Sequence, residues 1–79
     1  MMDIKSIKEL AQKYSSEELL KFADEFENTG VAPLKTQEDP GDQMSDYLMG
    51  AELRSLLDKG IPLNEAVREF SKRVRGVLT

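Results

Sequence analysis

A chain of 79 residues with no histidine and no cysteine is expected to form one thin-cored domain, because a domain this short buries only about 60% of the surface its unfolded chain exposes. The missing residue types exclude disulfides and the usual structural zinc ligands, so added stability must come from oligomerisation or very regular helix packing. A formal net charge of −4 works against non-specific binding to nucleic acid or anionic membrane, while 39% hydrophobic and 33% charged residues make a globular rather than a disordered composition.

The opening "MMDIKSIKEL" brings charges within its first few residues and has no continuous apolar run, and no later stretch approaches the roughly 20 apolar residues of a membrane span. The expected address is therefore the cytoplasm. From Asp3 to about Tyr14, residues Ile4, Ile7, Leu10, Ala11 and Tyr14 recur at helical spacing and predict a first helix. A second helix follows in "YSSEELLKFADEFENTG". Ser15 and Glu18 have capping-box spacing, Leu19, Phe22, Ala23 and Phe26 form the stripe, and Gly30 stands where a left-handed C-terminal residue is wanted.

"VAPLKTQEDPGD", residues 31–42, holds two prolines and a glycine and no sustained stripe, so it reads as a long connection with Val31 and Leu34 pinning it to the core. Asp39 before Pro40 matches an N-cap followed by proline at the first helical position. A third helix is expected from about residue 40 to Lys59, with Gly60 as its stop. The last predicted helix, "LNEAVREFSKRVRGVL", places Leu63, Ala66, Val67, Phe70, Val74, Val77 and Leu78 within about 120° of arc.

The third predicted helix has two apolar sides. At about 100° per residue, Met44, Tyr47, Leu48 and Ala51 cluster together, whereas Met49, Leu53, Leu56 and Leu57 cluster roughly opposite. Three arrangements account for this. The helix bends at Gly50, since glycine costs about 1 kcal/mol against alanine in a helix interior; or it lies centrally and both sides are covered within one bundle; or one side meets another chain. The expectation adopted is the last, with Met49, Leu53, Leu56 and Leu57 as the partner interface and Met44, Leu48 and Ala51 in the chain's own core.

Charge is unevenly spread. Residues 1–43 carry ten acids and five bases, residues 44–79 five acids and six bases. Glu17, Glu18, Asp24, Glu25 and Glu27 give the second predicted helix an acidic outer surface, and Arg68, Lys72 and Arg75 line the outer face of the last. Dipole-favoured placement and local ion pairing such as Glu69 with Arg73 account for most of this pattern as a solvated surface.

"ELRSLLDKGIPLNEAVREFSKR" also has the layout of a helix-turn-helix, with Asn64, Arg68, Lys72 and Arg75 as the face that would meet nucleic acid. The acidic total and the lack of aromatic residues among the bases argue against that use.

Without histidine or cysteine, acid-base or nucleophilic work would fall on carboxylates, lysines, tyrosines or serines, and no serine or lysine has a catalytic spacing, so no enzyme activity and no cofactor is expected. Glu38, Asp39 and Asp42 lack the alternation of a calcium loop, and helix-start acids explain them, so no metal is expected. The sequence thus predicts an all-α domain of four helices, the last two an antiparallel hairpin. Its expected role is non-enzymatic protein interaction or regulation, as a homodimer or with another protein, and the alternative is the helix-turn-helix-like regulator.

Overall fold

The computed structural model describes the backbone of residues 4–78 and the side chains of residues 4–73. Four helices follow in order: α1 (Ile4–Lys13), α2 (Ser16–Thr29), α3 (Pro40–Asp58) and α4 (Leu63–Leu78), with no strand among the described residues. No helix among them is long and apolar enough to cross a membrane.

The caps are those the sequence spells. Ser15 Oγ accepts the Glu18 N–H at 3.1 Å while Glu18 Oε1 accepts the Ser15 N–H at 3.1 Å, so two otherwise orphaned donors are satisfied reciprocally at the start of α2. Asp39 Oδ1 accepts the Asp42 N–H at 3.1 Å, and Pro40 occupies the first turn of α3. Lys59 caps α3, and Gly60 follows at φ 87°. The Gly60 N–H then donates to Leu57 O at 3.0 Å and the Ile61 N–H to Leu56 O at 3.4 Å. This is the paired bonding of a Schellman turn, which needs a left-handed residue where Gly60 stands.

α3 is the centre of the fold and packs against each of the other three helices. One core cluster joins Ile7 and Ala11 of α1, Leu53 and Leu56 of α3, and Ala66 and Phe70 of α4, with Met49, Leu57, Ile61 and Val67 partly buried against it. The other joins Leu10, Leu19, Ala23, Tyr47 and Ala51, with Tyr14, Phe22, Phe26, Leu34 and Met44 around it. At about 1.5–3 kcal/mol for each large apolar side chain buried, the two clusters supply most of the drive for folding.

That arrangement corrects the expected interface. Leu53 and Leu56 are each 1% exposed, covered by α1 and α4 of the same chain, and Met49 and Leu57 pack against the same cluster. The two apolar sides of α3 are two contacts within one chain, and α3 runs through Gly50 as one uninterrupted helix. Leu48, assigned to the chain's own core, is instead 44% exposed. Val31, expected to pin the connection, is also exposed, whereas Leu34 is held in the core as expected.

Candidate functional site

The connection between α2 and α3 is folded back onto the first half of α3 by polar side chains. Gln43 Oε1 accepts the backbone N–H groups of Thr36 at 2.7 Å and Gln37 at 3.1 Å, and its Nε2 donates to Thr36 Oγ1 at 2.8 Å. The Thr36 hydroxyl in turn donates to Asp46 Oδ2 at 2.6 Å, and Gln37 Nε2 donates to the same oxygen at 3.2 Å. Gln43 and Asp46 are fully buried. Burying such groups is tolerated because their hydrogen bonds are made, and no buried side-chain nitrogen or oxygen among the described residues lacks a partner.

Tyr47 completes the attachment. Its hydroxyl donates to Leu34 O at 2.5 Å and accepts the Leu34 N–H at 3.2 Å. Its ring meets Phe22 and Phe26 at centroid separations of 5.8 and 6.2 Å, and Phe22 stands edge-on to Tyr14 at 5.3 Å. Burial pushes the Tyr47 phenol above its ordinary range. The hydrogen bond with Leu34 opposes this, and the nearby charge of Asp46 adds to it. A further tie lies along α2, where Ser16 Oγ donates to Ala51 O at 3.0 Å. These contacts fix α2 beside α3.

The outer side of that fixed pair is apolar. A groove of about 450 Å³ runs between α2 and α3, lined by Leu20, Ala23, Met44 and Leu48 with Asp24 and Glu27 at its edge. Leu20 is 50% exposed and Leu48 44%. No basic residue lines the groove, and among the described residues no ion pair engages Asp24 or Glu27. Some acids elsewhere are paired, Asp58 with Arg54 at 2.9 Å and Glu52 with Arg73 of α4, whereas Glu17 and Glu25 of α2 have no ion pair among the described residues.

A smaller hollow of about 160 Å³ lies where α1 meets the connection, with Glu9 and Lys13 both on its wall. It presents no single sign of charge. Among the described residues, no group of three acidic, histidine or cysteine side chains could hold a metal ion.

Of the residues proposed from sequence to meet nucleic acid, Asn64, Arg68 and Lys72 are exposed on α4. The side chain of Arg75 lies outside the described residues. Exposed Glu65 falls within about 60° of Arg68 around the helix, so the basic ridge is interrupted by an acid.

Leu20 is not among the residues the helix stripes single out, because it stands about 100° from Leu19 and falls off the stripe that predicts the buried side of α2. A large apolar residue displaced from its helix stripe and flanked by Asp24 and Glu27 at helical spacing was the available signal.

No curated protein matches the chain, and no solved structure does. The chain belongs to the family described as "Family of unknown function (DUF6952)", which matches it over residues 2–79.

Proposed function

We propose that this is a non-enzymatic protein-interaction domain, and that the groove between α2 and α3 receives a helix of a partner protein. The observation that carries this reading is the pairing of Leu20 and Leu48, both about half exposed, across one groove. Single exposed leucines are ordinary, whereas grouped ones with a polar rim mark interaction surfaces. Met44 on the groove wall suits the role, because its unbranched thioether side chain adapts to irregular apolar shapes. An amphipathic helix laid into such a groove is a recurrent way of making a specific contact.

The test is a photo-crosslinking residue placed at position 48, with position 68 on α4 as comparison, in cells that make the protein. Covalent capture of another protein from position 48, lost when Leu20 is changed to serine, is the expected result. Nucleic acid captured from position 68 and nothing from position 48 would replace this reading with the helix-turn-helix-like one. Two copies of the chain linked through position 48 would make the partner a second copy.

A further inference from the structure

We infer that the helix received by the α2/α3 groove is basic: an amphipathic segment whose apolar stripe is bordered by lysine or arginine one turn apart on the side that meets α2. The inference rests on the docking reading above and adds the chemistry that selects the partner. Three observations carry it.

The groove edge is of one sign. Asp24 and Glu27 are three residues apart and thus neighbours along α2, both border the groove, and no ion pair engages either among the described residues. Glu17 lies on the same side of α2 about one turn before Leu20, and the helix as a whole carries Glu17, Glu18, Asp24, Glu25 and Glu27 against the single base Lys21. A partner carrying acids there would meet like charge, which costs affinity, whereas bases would gain both attraction and faster encounter.

The apolar part demands a matching stripe. Leu20 and Leu48 stand on opposite helices with Met44 beside Leu48, so an occupant needs large apolar residues on one face of a helix, at spacings of three and four.

A second copy of this chain fits poorly. Two copies meeting through this same face about a twofold axis would put two acidic edges into one interface, with no base among the groove's lining residues to offset them. α4 supplies exposed Arg68 and Lys72, but the exposed large apolar residues among those described are Ile4, Leu20, Val31 and Leu48, none of them on α4.

The experiment uses the full chain and three fluorescein-labelled synthetic helical peptides with one leucine stripe, their polar positions filled with lysine, glutamate or glutamine. Anisotropy gives affinities at low salt and at about 1 M salt, where the screening length falls to about 3 Å. Light scattering on the chain alone fixes its assembly state. The lysine peptide is expected to bind about tenfold or more tighter than the glutamine peptide at low salt and the glutamate peptide weakest, with the differences collapsing at high salt. The double change Asp24→Lys and Glu27→Lys should reverse the order of the charged pair. Leu20→Ser with Leu48→Ser should abolish binding of all three while the helical circular dichroism is kept.

Equal binding of lysine and glutamine peptides would overturn the charge selection and leave the docking reading standing. No binding of any peptide, or binding unaffected by the two serine changes, would overturn both. A wild type that self-associates through this groove, with the serine changes restoring the monomer, would replace the basic helix by a second copy.

Discussion

The Tyr47 hydroxyl bonds both backbone groups of Leu34, donating to its carbonyl at 2.5 Å and accepting its N–H at 3.2 Å. One side chain of α3 thereby satisfies a residue of the connection that has no helix or strand of its own to do so. Such a contact serves where local structure leaves a donor and an acceptor unmatched.

Tyr47→Phe keeps the ring and removes this contact. It should lower stability by about 1–3 kcal/mol through the stranded Leu34 groups, read as a lower urea midpoint with an unchanged slope. The same residue gives an alkaline signature. Its folded phenol stays protonated above the ordinary value of 10.0, so between that value and the folded one the folded state holds a proton that the unfolded chain has lost. Its stabilising contribution is whole below pH 10 and is lost as pH rises through the folded value, at no more than about 1.4 kcal/mol per pH unit. Tyr47→Phe should flatten that part of the stability curve. An identical alkaline slope in the variant would refute the assignment.

Gln43→Ala strands the N–H groups of Thr36 and Gln37 together and removes a donor to the Thr36 hydroxyl. Loosening of the connection should show as faster amide exchange at residues 36 and 37 before any change in the slow amides of α3. Gln43→Glu should be worse near neutral pH. It places a second carboxylate beside the hydroxyl that already serves Asp46, with the loss lessened in acid as the new group protonates. Uniform acceleration of exchange across the helices in Gln43→Ala would mean that the network holds up the whole fold rather than the connection alone.

Helix boundaries were legible because caps and stripes agreed at Ser15, Gly30, Asp39, Pro40 and Gly60. The use of α3 was not. Its two apolar arcs are joined by Gln43, Asp46 and Gly50, which lie around the helix between Tyr47 and Leu53 and are all buried. A hydrophobicity pattern scores two carboxamide and carboxylate side chains and a glycine as solvent-facing, so a single wide buried arc looked like two opposed ones. Leu48 was misplaced by the same step, since it was grouped with Met44 and Tyr47 although the buried arc extends from Tyr47 in the other direction. That groove's acids were visible in sequence as a charge excess on α2, but nothing in the residues alone set Leu20 opposite Leu48.

Gly50 is a point of close approach. A Cβ built on it would stand 3.3 Å from Leu10 Cβ and 3.3 Å from Leu19 Cδ1. The methyl of Leu19 ends a flexible side chain, but Leu10 Cβ is fixed to the backbone of α1, so α1 itself must retreat by a fraction of an ångström. Gly50→Ala should therefore fail to show the gain of about 1 kcal/mol that helix propensity alone would give. Gly50→Val, with a branched side chain in the same gap, should cost about 1–3 kcal/mol from overpacking. Thermal midpoints of the three proteins decide this, and a full propensity gain in Gly50→Ala would show that α1 is not seated tightly.

Two leucines on one helix separate core from surface. Leu53 is 1% exposed between α1 and α4, and Leu48 is 44% exposed beside the groove. Leu53→Glu places an unpaired carboxylate in an apolar cluster and deletes the leucine's own packing, a loss of several kcal/mol. A domain of this size has only about 5–10 kcal/mol in total, so the helical circular dichroism should fall sharply. The expected loss comes without any prior change in assembly state, because the face is covered by the same chain. Leu48→Glu carries the same chemical change to an exposed site and should alter stability by no more than about 0.5 kcal/mol. Light scattering and circular dichroism on both variants and the wild type give the result. A folded Leu53→Glu that merely separates from a partner copy would return Leu53 to an interface between chains, and an unfolded Leu48→Glu would place the groove residues in the core.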